Sequence, residues 1–381
     1  MLLEQMRKNA VYGDWPLHYD PLRREVYLDE NGARIELQKE TGLKVLENGD
    51  VFFRIYAPGS SEVKVVSKAF TLELTKDAEG YFEGTLPFDP IKVGPHSFDF
   101  IVDGGTMLYP YAPISWHRNR PVNYVDIPDV ETPYILVNDV PHGAVTRELF
   151  WSEVTGNWER CIVYTPPGYM KNGESYPVLY LQHGATENEV TWEYNGRVSA
   201  IMDNLIAEGK ITPFIVVMNN GMLSLPGETG YGSALGDMLI KDCIPHIEKN
   251  YRVKTDKWSR AMAGLSMGSM QTSRYGLTHP ELFGYLGVFS GFMRYMGADA
   301  DQSHLAILDN KELFAESYKV FFRCMGDKDS FIARFLEDDE ICLAKGINEL
   351  ENYHRVVYEN QFHEFGAWRR ALYEFAQLIF K

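Results

Sequence analysis

The chain has 381 residues, of which 45% are hydrophobic and 24% are charged, as in a globular protein with a sizeable core. The formal net charge is −16, and an acidic surface repels phosphate backbones and anionic lipid, so neither nucleic acid nor a membrane is an expected partner. No apolar run reaches the roughly 18 residues that a membrane-spanning helix needs.

The N-terminus and the cysteines both favour a reducing compartment. MLLEQMRKNAVYGDW lacks the apolar segment and cleavage site of a secretion signal, which predicts a cytoplasmic protein. The four cysteines form no CxxC pair and lie in apolar stretches, so we expect buried free thiols. No HExxH or paired Cys/His spacing is present, and no metal site is expected.

Residues 1–132 are predicted to form a small β-sandwich domain. Asn31-Gly32 separates two short apolar runs, which indicates a hairpin. Strand-length runs with period-two alternation follow, including VFFRIYAP from Val51 and HSFDFIVDGG from His96. Gly, Pro, Asp and Ser separate these runs, as is typical of a sandwich.

Residues 133–381 are predicted to form a three-layer α/β domain. Two runs that favour antiparallel strands (GAVTRELFW and ERCIVYTP) come first, and apolar strands then alternate with amphipathic segments. This alternation indicates a mostly parallel sheet with both faces covered, and its active site is expected at the carboxyl ends of the strands. Helices are predicted near 196–208, 235–250, 267–278, 331–352 and 367–380.

Gly264-Leu265-Ser266-Met267-Gly268 matches G-x-S-x-G between an apolar strand and a helix. In that context the motif forms a nucleophile elbow, a turn so tight that its flanking positions must be glycine. The turn would lift the Ser266 hydroxyl out of the sheet. It would also leave the Met267 amide free at a helix N-terminus, where it can bind a developing oxyanion.

A serine nucleophile needs a histidine base and an acid that orients it, in the chain order Ser, acid, His on this type of fold. The strand KVFFRCMG ends in Gly326-Asp327-Lys328-Asp329, and we take Asp329 as the acid with Asp327 as the alternative. The last strand is followed by His363, which we take as the base.

The loop His183-Gly184-Ala185-Thr186, which follows the strand VLYLQ, is expected to supply the second oxyanion donor. The amide of Ala185, or that of Thr186, would point at the substrate oxygen. Thr186 and Trp192 are further candidates for substrate contact. Trp192 would stack on an aromatic or sugar ring, although packing in the core fits its sequence position equally well.

Several segments together resemble the esterase D-like esterases, a group that includes the feruloyl and acetylxylan esterases of carbohydrate esterase family one and the enterochelin esterases. The resemblance covers roughly residues 140 to 381 and is carried by YPVLYLQHGATENEVTW, NLIAEGKITPFIVVMNNG, IPHIEKNYRV, RAMAGLSMGS and the FHEF…W ending. It implies the α/β-hydrolase fold for residues 133–381. The segment VFFRIYAPGSSEVKVVS…FDFIVDG is similar to the Ig-like domain, related to carbohydrate-binding modules, that often precedes such esterases.

By position, the resemblance makes Ser266 the nucleophile, Asp329 the acid and His363 the base, with the amides of Met267 and Ala185 as the oxyanion hole. It implies a serine carboxylic ester hydrolase that works through an acyl-enzyme without a cofactor. Ser269, Phe362 and Phe365 depart from the family pattern near the pocket.

The favoured substrate is a feruloyl-type ester of a plant sugar, a small-molecule partner. A siderophore trilactone esterase and an acetylxylan esterase are the alternatives within the family. A non-catalytic glycan-binding protein and an acyltransferase on the same scaffold are alternatives from other classes. The sequence leaves the oligomeric state open, a homo-oligomer included.

Overall fold

The computed structural model describes residues 26–28, 31–89, 93–110, 112–225, 232–296 and 300–381. The chain divides into two compact units, the first ending at Val137 and the second comprising Asn138–Lys381. The boundary predicted from the sequence lies after residue 132, in the same proline-containing segment. Residues 1–25 of the predicted β-domain lie outside the described residues.

The first unit is built of antiparallel strands in its described part. Their bounds are β1 (Val26–Leu28), β2 (Arg34–Glu36), β3 (Gly42–Val45), β4 (Val51–Tyr56), β5 (Val63–Ser67), β6 (Thr71–Glu73), β7 (Thr75–Lys76), β8 (Tyr81–Leu86), β9 (Gly94–Val102), β10 (Gly105–Met107), β11 (Ile114–His117) and β12 (Arg120–Ile127). β1 and β2 pair across Asn31-Gly32, and Gly32 has a positive φ of 75°. The predicted hairpin is therefore confirmed.

Two larger sheets of this unit share one core. One has the order β3-β4-β8-β7, and the other has the order β11-β12-β9-β5-β6 with β10 paired to β9. Burial alternates along β4, as the period-two pattern predicts. Phe53 of β4 meets Phe98 of β9 at a ring-centroid distance of 5.4 Å, so side chains from both sheets interlock in the same cluster.

The second unit contains an eight-stranded mixed sheet of order β13-β14-β16-β15-β17-β18-β19-β20. Its strands are β13 (Ala144–Ser152), β14 (Asn157–Thr165), β15 (Val178–Gln182), β16 (Ile215–Asn219), β17 (Arg260–Leu265), β18 (Tyr285–Phe289), β19 (Val320–Gly326) and β20 (Tyr353–Tyr358). β13, β14 and β16 pair antiparallel, and every pairing from β16 to β20 is parallel. The predicted antiparallel start and parallel continuation are confirmed.

Helices cover both faces of this sheet, as in the α/β-hydrolase fold. They are α1 (Thr191–Tyr194), α2 (Val198–Ala207), α3 (Leu235–Met238), α4 (Ile244–Asn250), α5 (Met267–Thr278), α6 (Lys311–Ser317), α7 (Ile332–Ala344) and α8 (Phe365–Ala376). Ile247 of α4 joins the core cluster on one face with Val288 of β18. On the other face Phe375 of α8 packs against Phe289 of β18 and Phe322 of β19.

The helix predicted to reach residue 352 was too long. α7 ends at Ala344, and Gly346 then adopts a left-handed backbone with φ of 66°. Glycine enters that conformation without a steric penalty, which stops the helix. A 3₁₀ turn, Ile347–Glu349, follows before β20.

All four cysteines are buried and free, as the sequence predicts: Cys161, Cys243, Cys324 and Cys342. Within the described part of the chain, no helix has both the length and the apolar character to cross a bilayer.

Candidate active site

Ser266 lies at the sharp turn between β17 and α5. Its backbone has φ of 50° and ψ of −114°, a strained conformation for a residue with a side chain. A Cβ on Gly264 would lie 2.5 Å from the Gly268 oxygen, and one on Gly268 would lie 2.6 Å from the His183 oxygen. Both flanking positions therefore have to be glycine, for the steric reason given by the sequence.

Ser266, His363 and Asp329 form one hydrogen-bonded chain. The Ser266 hydroxyl lies 2.9 Å from Nε2 of His363, and Nδ1 of the same ring lies 2.7 Å from Oδ2 of Asp329. Because a carboxylate only accepts hydrogen bonds, Nδ1 carries the proton and Nε2 is free to accept from the serine. The three residues follow β17, β20 and β19, so the sheet brings together positions 97 and 34 residues apart.

Asp329, and not Asp327, reaches the histidine. The Asp329 side chain is fully buried, and its Oδ1 accepts a hydrogen bond from the Phe331 amide at 2.9 Å. Asp327 is paired with Lys328 at 3.8 Å, and its Oδ1 is buried without a partner among the described residues. The geometry thus favours the first choice made from the sequence.

Two aromatic rings hold His363 in place. Phe331 lies 4.9 Å from the imidazole between ring centroids, and Trp368 of α8 lies 5.2 Å away with its plane nearly perpendicular. Such edge-to-face contacts restrict rotation of the imidazole. Phe365, which departs from the family pattern, packs against Trp368 at 4.8 Å between ring centroids, and Trp368 contacts the imidazole. The W of the FHEF…W ending was the available signal.

The loop after β15 lies beside the serine. A Cβ built on Gly184 would come within 3.5 Å of the Ser266 Cβ. The backbone N–H groups of Ala185 and Met267 donate to no other group within the described residues. Two free donors therefore flank Ser266, as an oxyanion hole requires.

His183 fixes that loop and is not a second base. Its Nε2 accepts a hydrogen bond from the Gly221 amide at 2.8 Å, and its Nδ1 donates to the Gly184 oxygen at 2.7 Å. Burial lowers the pKa of His183 to about 4, so the ring stays neutral. The residue ties the loop after β15 to the loop after β16.

The predicted contact of Trp192 with substrate is wrong. Trp192 is 1% exposed, and its indole N–H donates to the Gln182 oxygen at 2.8 Å. Its ring packs edge-on against Phe289 and Phe365, which leaves no face for a ligand. Trp192 is therefore part of the core beneath the site, the other use that the sequence allows. Thr186 is half-buried, and its amide lies 3.3 Å from the Met222 sulfur.

Glu187 is a buried carboxyl at the site that sequence reasoning missed. Its Oε2 accepts the Gly184 amide hydrogen bond at 2.9 Å and so braces the turn beside Ser266. Burial raises the pKa of Glu187 to about 8. A glutamate in the polar run TENE gives no sequence signal of burial. No group of three His, Cys, Asp or Glu side chains within the described ranges could hold a metal ion.

We expect Glu187→Gln to flatten the pH dependence of stability. The pKa of this carboxyl is higher in the folded chain than its ordinary value of 4.5, so the folded state binds the proton more tightly. Its contribution is fully present below about pH 4.5 and is lost as pH rises through about 8. Glutamine keeps an acceptor for the Gly184 amide and cannot ionise.

Thermal unfolding at pH 5, 7 and 9 measures this effect. Between pH 5 and 9 the wild type should lose at least about 1 kcal/mol more unfolding free energy than the variant. Glu351→Gln, at an exposed position, is the control and should follow the wild type. Parallel curves for wild type and Glu187→Gln would contradict the prediction.

Comparison with known proteins gives consistent matches. A family model described as "Putative esterase" matches residues 152–378. The chain is 38% identical over 352 residues to an endo-1,4-beta-xylanase/feruloyl esterase of Xylanibacter ruminicola, covering 88% of this chain and 46% of that protein. The chain thus spans about half the length of this relative.

Two solved structures extend the comparison. A ferulic acid esterase of Anaeromyces mucronatus, solved with ferulic acid, is 25% identical with a TM-score of 0.57, covering 65% of this chain and 94% of that one. An enterobactin esterase of Shigella flexneri is 16% identical with a TM-score of 0.59, covering 86% of this chain and 92% of that one. The second likeness concerns the fold alone.

Proposed function

The chain belongs to the esterase family whose model matches residues 152–378, and from that premise we propose that it hydrolyses carboxylic esters through an acyl-enzyme formed on Ser266. One observation carries the proposal: the continuous hydrogen-bonded chain from the Ser266 hydroxyl through His363 to the buried Asp329. Nucleophile, base and orienting acid in this arrangement suit acyl transfer.

In the first half of the cycle, Nε2 of His363 takes the hydroxyl proton as the Ser266 oxygen attacks the ester carbonyl carbon. The carbonyl oxygen becomes an oxyanion, which the amides of Met267 and Ala185 bind. A single such donor is worth roughly 3–4 kcal/mol in transition-state stabilisation. His363 then gives its proton to the leaving alcohol, and the acyl group stays on Ser266.

In the second half, water replaces the alcohol. His363 takes a proton from the water as it attacks the acyl carbon, and returns that proton to the Ser266 oxygen as the acid product leaves. Asp329 keeps the imidazole in the required tautomer and stabilises the imidazolium formed in both halves. Water and the chain's own side chains supply every proton that moves.

We propose a feruloyl ester of a plant sugar as the substrate. The xylanase/feruloyl esterase relative, which covers 88% of this chain, and the ferulic acid esterase structure support this choice. The second candidate is a catecholate siderophore trilactone. One observation favours it: the structural match to the enterobactin esterase covers 86% of this chain, whereas the match to the ferulic acid esterase covers 65%.

For residues 1–132 we propose an Ig-like sandwich domain that precedes a hydrolase domain, with the boundary in the segment 132–137. The two sheets around one core, with Phe53 against Phe98, support the sandwich. The cytoplasmic location stays a prediction of the sequence, and an acyltransferase activity stays an alternative to hydrolysis.

A substrate panel tests the proposal. We expect kcat/KM for methyl ferulate to exceed that for acetylated xylan and for a catecholate trilactone by at least about tenfold, a ratio that pocket contacts routinely give. The Ser266→Ala variant serves as the background in each assay. Preferred hydrolysis of the trilactone would replace the feruloyl substrate by the second candidate. If none of the three esters is hydrolysed, the proposal that the chain is an esterase is contradicted.

A further inference from the structure

Two exposed tryptophans form a corner on the hairpin β13–β14. Trp151 and Trp158 are directly opposite each other in the strand register, and they are 46% and 57% exposed. Their ring centroids are 5.8 Å apart with planes at 76°. We call this pair the tryptophan corner. Its two large apolar side chains are exposed to solvent, and they have no part in the catalytic triad.

An open groove of about 490 Å³ borders the tryptophan corner. It is lined by both tryptophans and Leu149 and by polar residues of α4 and the turn before it, among them Lys241, Lys249 and Asn250. Its volume falls in the range of small-ligand sites, and the combination of a few aromatic walls with polar groups is typical of such sites.

The tryptophan corner and the candidate triad both lie at the carboxyl ends of the parallel strands. Cys161 of β14 pairs with Asn219, the last residue of β16, so Trp158 lies beyond the carboxyl end of that parallel strand. Ser266 follows the carboxyl end of β17, three strand spacings from β14. Spacings of about 4.8 Å place β14 and β17 about 14 Å apart across the sheet, a length that a few linked sugars span.

Sugar rings fit these surroundings. The C–H groups of a pyranose ring are weakly positive and pack on the negative face of an indole, while its hydroxyls need polar neighbours. The corner offers the indoles, and Lys249 is among the polar residues that line the groove. A second copy of the chain fits less well, because β13 has the exposed charge of Arg147 in the middle of its free edge.

We propose that the tryptophan corner binds the carbohydrate chain of the ester substrate, outside the acyl pocket. The inference rests on the proposed function for its choice of ligand. The corner would hold the sugar chain while the attached acyl group reaches Ser266. Polymeric and oligomeric esters would then bind more tightly than simple methyl esters with the same acyl group.

Direct binding tests the proposal apart from catalysis. Isothermal titration of the full chain with unesterified xylohexaose should give a Kd that rises at least about tenfold in Trp151→Ala/Trp158→Ala. Trp258→Ala is the matched control. This tryptophan is 37% exposed, but it lies just before β17, at the amino end of that strand and so away from the triad. Trp158→Phe, which keeps an aromatic face, should retain most of the affinity.

Activity gives the second measurement. In the double variant, KM for a feruloylated arabinoxylan oligosaccharide should rise about tenfold, while kcat/KM for methyl ferulate stays unchanged. Equal xylohexaose affinity in wild type and double variant would overturn the proposal. So would a wild-type dimer that the double variant converts to a monomer without any change in sugar binding. A wild type that hydrolyses no ester would contradict the proposed function and leave the binding result intact.

Discussion

Ser266→Ala is expected to lower kcat for ester hydrolysis by about 10⁴-fold or more, with the fold intact. The substitution removes the hydroxyl that lies 2.9 Å from Nε2 of His363 and leaves the Cβ in place. Without that oxygen no acyl-enzyme forms, and only the oxyanion donors and substrate binding remain to accelerate direct attack by water.

Initial rates with methyl ferulate measure the loss, and unfolding curves check the fold. Ser273→Ala is the matched control, because Ser273 lies buried on α5, the helix that Ser266 precedes, and donates a long hydrogen bond of 3.5 Å to the Phe292 oxygen. A fluorophosphonate probe should label the wild type and Ser273→Ala, and should not label Ser266→Ala. Labelling and turnover that persist in Ser266→Ala would exclude this residue as the nucleophile.

The nucleophile elbow is predictable from sequence because its constraint is local. Gly264 and Gly268 are required by contacts of 2.5 and 2.6 Å that any Cβ would make, so residue identity reports geometry directly. The position of His363 is also predictable, since the carboxyl ends of neighbouring parallel strands lie on one edge of the sheet. A motif and a topology together thus bring the serine and the histidine to one place.

Burial and side-chain direction are less accessible to sequence reasoning. Trp192 and Trp368 are both buried aromatic residues close to the site, yet of the two it is Trp368 that contacts the imidazole. The orientation of Trp192 depends on a partner that is distant in the chain, Phe289. Glu187 shows the same limit, because its chain neighbours are polar and do not signal that its side chain is buried.

The choice between Asp327 and Asp329 shows most clearly that side-chain direction is hard to predict from sequence. Both follow β19 within three residues, and both carry the chemistry that an orienting acid needs. The turn after the strand decides which carboxylate points inwards: the Asp329 amide donates to the Gly326 oxygen at 3.1 Å, and the Asp327 amide donates to the Tyr358 oxygen at 2.9 Å. Sequence spacing alone does not give the path of such a turn.

Paired substitutions at these two positions are therefore expected to differ sharply. Asp329→Asn should lower kcat by about 10³- to 10⁴-fold, because an amide nitrogen facing Nδ1 favours the tautomer with its proton on Nε2. With a proton already on it, Nε2 of His363 cannot accept the proton of Ser266. The asparagine oxygen can still accept the Phe331 amide, so folding should be affected little.

Asp327→Asn, two positions away in the same loop, should change kcat by less than about threefold, since its carboxylate has only the distant Lys328 ion pair to lose. Measuring kcat and the unfolding midpoint for both variants side by side separates a loss of catalysis from a loss of stability. Because both substitutions remove one negative charge from one loop, a general electrostatic effect would lower the two rates alike. A large loss confined to Asp327→Asn would instead assign the orienting role to that residue and reverse the order of the two carboxylates.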